Sequence, residues 1–211
     1  KPLADGTPDI IVTEGAINIR GPKDPARIAA IVAALQQRPE VGAIFTHPAS
    51  PGSMAGVVPG TLSFAVAQWE HARSGDILVS GNWDAEKNAT GWIGRTTQGG
   101  VAGHGTSSPY DIHNTLLASG PDFRERTVSR VPTSNSDIAP TILKLLGMPA
   151  PRTMTGRSID EALKSGPSPD SVVVKNRVES AKTADGSYQL DAHISLVGQT
   201  RYLNDTTVSR K

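Results

Sequence analysis

The chain has 211 residues, 37% of them hydrophobic and 19% charged, with a formal net charge of +1 at pH 7. This length allows one good hydrophobic core and a small appendage, and the near-neutral charge argues against binding of nucleic-acid polymers. The absence of cysteine excludes disulfides and thiolate metal sites, and the sequence has no apolar run of about 18 residues that would predict a membrane span.

Strand-like and helix-like segments alternate along the first three quarters of the chain. Short apolar runs predict buried strands at residues 9–13, 41–46, 76–80 and 114–118. Helical patterns lie between and after them, at residues 25–38, 64–73 and 137–146. Asp24 is the expected N-cap of the first helix, and Pro25 takes its first position. The alternation predicts an α/β fold with a mainly parallel sheet flanked by helices.

Two further regions differ from this pattern. Residues 81–112 lack periodicity and contain many glycines, which predicts a long loop that is either functional or disordered. A Ser-Gly-Pro-Ser-Pro run from residue 165 reads as a linker, so we divide the chain into residues 1–165 and 166–211. Apolar and polar side chains alternate over residues 188–196, and residues 171–209 are therefore predicted to form a small antiparallel β extension.

Two of the five histidines have a context that suits a metal ligand. His104 is flanked by Gly103 and Gly105, and His113 immediately precedes the predicted strand 114–118. Open α/β sheets place ligands at strand ends, and neutral imidazoles suit Zn²⁺ or a similar cation. Spacing alone leaves open a second interpretation, in which both histidines only form hydrogen bonds.

The region around these histidines carries a recognisable run of motifs. Its segments are Gly103-His104-Gly105 with Asp111–Pro121, then Asn135–Gly147, then Gly156–Ile159. In this order they resemble the alkaline phosphatase superfamily, in particular its type I phosphodiesterase/nucleotide pyrophosphatase branch. The resemblance implies an alkaline-phosphatase-like domain with two divalent metals, expected to be zinc. It implies that His104 binds the metal on the nucleophile side and that His113 binds the other metal.

The sequence departs from the family pattern at two points. Gly103 stands where the family has the Asp of an Asp-His-Gly motif, and Asp84, just past residues 76–80, is the candidate replacement ligand. A solvated loop aspartate is an equally good interpretation of Asp84. The family's Thr or Ser nucleophile and its Asp-x-x-x-His pair have no counterpart here, so no catalytic nucleophile is assigned. The simplest interpretation is that the chain is the C-terminal portion of a longer enzyme, with an N-terminal half as its partner.

The function implied by the resemblance is a metal-dependent hydrolase of phosphodiesters or phosphate esters. It would act by two-metal phosphoryl transfer on a small phosphate-ester or nucleotide-like substrate, in the periplasm or outside the cell. The alternatives are a non-catalytic binding module, an incomplete fragment of the same fold that lacks the nucleophile, and a sulfatase-like hydrolase. We expect the ring nitrogens of His104 and His113 to lie within about 7 Å of each other or of one metal pair.

Overall fold

The computed structural model describes residues 9–13, 15–97 and 104–211, and it divides into two compact units. The first unit holds the described residues up to His113, together with Val178–His193 and Leu203–Lys211. The second unit holds Asn114–Arg177 and Ile194–Tyr202. Gly103 lies outside the described residues.

A five-stranded sheet forms the centre of the first unit. Its strands are β1 (Ile10–Thr13), β2 (Ala16–Ile19), β3 (Val41–Thr46), β4 (Leu62–Ser63) and β5 (Ile77–Gly81), in the order β1-β2-β5-β3-β4. All six residues of β3 are buried, which explains its nearly uninterrupted apolar sequence. Three of the four predicted strands therefore lie in one sheet.

The expectation of a mainly parallel sheet flanked by helices is wrong. Only the pair β3 and β4 is parallel, whereas β1 with β2, β2 with β5, and β3 with β5 are antiparallel. The reason is topological: β5 lies between β2 and β3 and runs opposite to both. A strand–helix–strand order along the chain predicts parallel pairing only when the two strands become neighbours.

The first predicted helix is confirmed as α1 (Pro25–Gln36). The carboxylate of Asp24 accepts a hydrogen bond from the backbone N–H of Ala26 at 2.9 Å, as expected of an N-cap. Val32, in the middle of the predicted apolar face, is fully buried. The local signals for this helix were sufficient because the cap and the apolar stripe agree.

The predicted helix at residues 64–73 is wrong, because this segment forms consecutive turns. Gln68 has a φ of 54°, in the left-handed region that a right-handed helix excludes. The N–H of Trp69 reaches back to the carbonyl of Phe64 at 2.9 Å and closes the turn. Phe64 and Val66 are buried, so the apolar pattern reports burial rather than helical period.

Residues 81–112 contain more structure than the glycine-rich sequence predicted. β6 (Trp83–Lys87) and β7 (Ile93–Thr96) form an antiparallel hairpin, and α2 (Pro109–Ile112) follows. The indole N–H of Trp83 donates to the carbonyl of Thr206 at 2.6 Å, and its ring meets Tyr110 edge-on at 6.0 Å. These contacts are long-range in sequence, so local periodicity carried no sign of them.

The C-terminal region forms a separate three-stranded sheet of β8 (Val174–Lys182), β9 (Tyr188–Val197) and β10 (Thr200–Arg210), in the order β10-β9-β8. Short connections join consecutive neighbours, which requires antiparallel pairing. The predicted alternation is that of β9, where Tyr188, Leu190 and Ala192 are buried while the residues between them are half-exposed. Residues of this sheet belong to both units.

In the second unit, the helix predicted at residues 137–146 is present as α3 (Ile138–Leu145), preceded by a 3-10 turn at Asn135–Asp137. Two more 3-10 turns follow, at Asp160–Ala162 and Pro169–Ser171. The strand predicted at residues 114–118 is wrong: these residues form no strand and are exposed, with Leu117 89% accessible. The segment has strand-like composition, but among the described residues no neighbouring strand pairs with it.

Within the described part of the chain, no helix is both long enough and apolar enough to cross a membrane.

Candidate functional site

A cavity of about 300 Å³ lies in the first unit, and its lining includes residues of β3 and β5. Its apolar lining, here called the apolar wall, includes Phe45, Ala67, Trp69, Leu78, Val79, Ile112 and Leu203. The hydroxyl residues Ser80, Thr106 and Ser107 also line it and are called the hydroxyl wall. Ligand sites commonly combine an apolar lining with a few polar groups that fix orientation, so we take this cavity as the candidate site.

Edge-on contacts among three aromatic rings fix the orientation of Trp69. The ring of Phe64 meets Trp69 edge-on at 5.3 Å, and His47 meets Phe64 edge-on at 4.9 Å. Edge-to-face packing of this kind fixes ring orientation and stabilises a pair by about 0.5–1.5 kcal/mol beyond area burial. The turn that replaced the predicted helix therefore presents Trp69 to the cavity.

The hydroxyl wall is a buried hydrogen-bonded chain. Ser80 Oγ accepts from both the backbone N–H and the Oγ of Ser107, each at 2.9 Å, and donates to the carbonyl of Gly81 at 3.2 Å. Ser107 Oγ also contacts Thr206 Oγ1. Because the hydrogen of Ser107 goes to Ser80, Thr206 is the donor in that contact. Ser80 thus has no hydrogen left to offer a ligand.

Thr106 differs from its two hydroxyl neighbours. Its Oγ1 accepts from the N–H of Ser108 at 3.3 Å, and within the described part of the chain its own hydroxyl hydrogen has no acceptor. Its backbone N–H donates to the carboxylate of Asp111 at 2.6 Å, which fixes the loop ahead of α2. Thr106 is only 7% exposed, so its unused donor is held in a largely dry environment.

The two predicted metal-ligating histidines flank the segment that lines the cavity. His104 precedes Gly105 and Thr106, and His113 follows Ile112 at the end of α2. Both histidines are exposed and belong to the first unit. The predicted position of His113 before a buried strand is corrected, because no strand follows it. The expected convergence of the two rings on one metal pair stays a prediction.

Asp84, the third predicted ligand, lies in the hairpin β6–β7 opposite Arg95. Its Oδ1 accepts from Arg95 Nε at 3.0 Å and its Oδ2 from Arg95 Nη2 at 2.7 Å. This bidentate pair lowers the pKa of Asp84, with the hydrogen bond from Arg95 as the main cause. Asp84 would have to leave Arg95 before it could bind a cation.

Among residues 9–13, 15–97 and 104–211, no group of three or more His, Asp or Glu side chains is arranged to hold a metal ion. Two imidazoles form an incomplete shell for zinc, which takes four ligands in most protein sites. A metal at His104 and His113 would therefore need additional ligands from elsewhere.

Several residues of the motif block have a structural role. Asp137 is fully buried and accepts hydrogen bonds from the N–H of Ser134, the N–H of Arg157 and the hydroxyl of Tyr202, at 2.9, 2.8 and 2.9 Å. The guanidinium of Arg157 pairs with both oxygens of Glu161, at 2.8 and 2.6 Å. Burial and the hydrogen bond with Asp137 raise the pKa of the Tyr202 phenol. This cluster closes the second unit around a satisfied polar core.

Gly156 lies where the backbone packs too closely against Ser136 to leave room for a side chain. A Cβ at this position would lie 2.0 Å from the carbonyl oxygen of Ser136, closer than any real contact allows. The backbone can thus pass directly beneath the start of α3, which brings Arg157 to Asp137. These motif residues resemble those of an enzyme family, yet their contacts here explain their identities by stability alone.

Sequence reasoning missed the hydroxyl wall and a histidine–aspartate pair. Ser80, Thr106 and Ser107 are common loop and strand residues, so nothing in their local pattern indicated a site. His193 lies with Nδ1 2.6 Å from Asp205 Oδ1, although both side chains are partly exposed. The alternation of β9 placed His193 on the polar face, but its partner on β10 depends on strand register.

No protein-family model, no curated protein and no solved structure matches this chain. The resemblance to the alkaline phosphatase superfamily therefore rests on the quoted motif residues.

Proposed function

We propose that this chain is the C-terminal portion of a metal-dependent hydrolase of phosphodiesters or phosphate esters. The observation that carries the proposal is the position of His104 and His113 on either side of the segment that lines the cavity. Both imidazoles are exposed, and the cavity-lining residues Gly105, Thr106, Ser107 and Ile112 lie between them in sequence. This is the arrangement expected when metal ligands border a substrate pocket.

The donor set fits a zinc-like cation in part. His104 and His113 would contribute neutral imidazole nitrogens, and the metal would supply positive charge that stabilises the phosphoryl oxygens. Asp84 fits poorly, because the guanidinium of Arg95 occupies both its oxygens. The remaining ligands and the nucleophile would come from the N-terminal half of the same enzyme.

The chain's own residues define what the site does with a substrate. The bond between Asp111 and the Thr106 backbone fixes the loop between the histidines. The Ser80–Ser107–Thr206 hydroxyl chain ties that loop to the central sheet and to β10. A rigid loop of this kind holds flanking ligands at constant separation, which limits the entropy lost when a metal or substrate binds.

Zinc titration tests the proposal directly. Because the chain supplies only two of the ligands, we expect it to bind zinc weakly. His104→Ala and His113→Ala should each weaken that binding at least about tenfold, because each removes a direct ligand. His71→Ala is the matched control, since His71 is an exposed histidine outside this loop. Calorimetry at neutral pH measures the affinities. Equal affinities for the parent and both variants would contradict the metal assignment.

The pH dependence of the same titration gives a second readout. Zinc binds the neutral imidazole and competes with protons for it, so affinity should fall as the solution is made acidic. A pH-independent affinity would point to carboxylate ligands instead.

A non-catalytic binding module is the second candidate function. It is favoured by the engagement of Asp84 with Arg95 and by the lack of a three-ligand cluster within the described residues. A chain that binds no zinc but still binds a small molecule in the cavity would support this alternative.

A further inference from the structure

The cavity has the dimensions and surface chemistry of a site for one aromatic group. Its volume is about 300 Å³, at the lower end of the range for small-molecule sites and larger than the roughly 150 Å³ that holds benzene. A single ring that carries an oxygen fits this volume. A large multi-ring ligand does not, because the cavity is among the smallest that bind small molecules.

The apolar wall favours a flat ring. Phe45 and Trp69 provide aromatic surface from two different elements, and Leu78, Ile112 and Leu203 complete the wall. Trp69 is pre-positioned by its contact with Phe64. Aromatic side chains held in fixed orientations bind planar groups by stacking and edge contacts at little cost in conformational entropy.

The hydroxyl wall offers a ligand one hydrogen-bond donor. The hydroxyl of Ser80 already donates a hydrogen bond to the carbonyl of Gly81, and the hydroxyl of Ser107 donates to Ser80 Oγ. Thr106 remains as a hydroxyl donor whose hydrogen has no acceptor among the described residues. A buried donor of this kind favours a ligand with one oxygen beside its ring, because leaving the donor unsatisfied is costly.

We infer that the cavity binds the aryl group of an aryl ester or the corresponding phenol, with the ring on the Phe45–Trp69 wall and the oxygen at Thr106. The inference rests on the proposed function, since it makes aryl phosphate esters the substrate class of the hydrolase. Thr106 lies between His104 and His113 in sequence, which connects the aryl site with the proposed metal ligands.

Binding of 4-fluorophenol, followed by fluorine NMR with the metal-free chain in a chelator, tests this inference. We expect saturable millimolar binding by the parent. Thr106→Val keeps the shape and removes the hydroxyl, which is both the proposed donor and the acceptor for the Ser108 N–H at 3.3 Å, and we expect about fivefold weaker binding. Ala67→Leu places a larger side chain in the apolar wall and should abolish binding. Ala72→Leu, at an exposed position of the same turn region, should leave binding unchanged.

The outcomes separate the two proposals. If the parent fails to bind, or Ala67→Leu and the parent bind equally, the aryl site is refuted. Should Ala67→Leu not fold, as judged by its far-UV circular dichroism and melting, unchanged binding by Thr106→Val would refute it instead. Loss of zinc binding in His104→Ala and His113→Ala together with no phenol binding would leave the hydrolase proposal standing without the aryl site.

Discussion

Buried polar residues, more than exposed ones, explain why the motif block has its particular sequence. Asp137 receives three hydrogen bonds in a site with no solvent exposure, and each donor approaches from a different part of the second unit. A carboxylate can accept all of these bonds because it carries only acceptors. An amide of the same shape must point its NH₂ group at one of the donors.

We therefore predict that Asp137→Asn destabilises the chain by about 2–4 kcal/mol, since it leaves buried donors unsatisfied. Asp170→Asn, at an exposed position, should change stability by less than about 0.5 kcal/mol. Urea unfolding of both variants beside the parent measures the difference. A small effect of Asp137→Asn would mean that water or movement relieves the polar cluster.

At the scale of elements, two segments with strand-like sequences differ in strand pairing and in burial. Residues 188–196 become β9 and pack into the core, whereas residues 114–118 stay exposed and unpaired within the described residues. Leu190 is 0% exposed and Leu117 is 89% exposed. The same residue type in two apolar runs thus contributes very differently to stability.

This contrast provides a matched pair of substitutions. Leu190→Ala should cost about 2–5 kcal/mol, because it removes buried methyl groups and leaves a cavity. Leu117→Ala should change stability by no more than about 0.5 kcal/mol. The midpoints of urea unfolding report both. A comparable loss from Leu117→Ala would show that residues 114–118 are buried in solution, for example by self-association.

For the whole molecule, exposed carboxylates with lowered pKa values contribute stability that depends on pH. The side-chain hydrogen bond from Thr183 and the bonds from Ser187 lower the pKa of Asp185 to about 2. Because this pKa lies below the ordinary value of 3.8, the stabilisation is present above about pH 4 and is lost as the pH falls towards 2. The lowered pKa of Asp84, caused by Arg95, acts in the same direction.

We predict that the parent is more stable than Asp185→Asn at about pH 6, and that the difference vanishes near pH 2. In acid the protonated Asp185 has lost the same charge-assisted bonds that the variant lacks at every pH. Thermal melting over this pH range measures the convergence. A constant difference at all pH values would mean that the variant acts through packing rather than through charge.

Part of the fold and of the site could be predicted locally. The cap at Asp24 and the apolar face around Val32 predicted α1, and the apolar run at Val41–Thr46 predicted the central strand. His104 and His113 were singled out by their neighbours in sequence, and cavity-lining residues lie between them along the chain, although neither histidine lines the cavity itself. The hydroxyl wall was not predictable, because Ser80, Ser107 and Thr206 meet only through contacts distant in sequence.

The sequence by itself determined which short stretches are helical or extended wherever capping, periodicity and burial agree, as in α1, β3 and β9. Only the tertiary structure decided the direction of the strands, the exposure of residues 114–118 and the existence of the cavity. The physical reason is that helix caps and side-chain alternation are local, whereas strand pairing depends on which distant segment offers free N–H and C=O groups. β5 lies between β2 and β3, and that single pairing choice converts the expected parallel sheet into a largely antiparallel one.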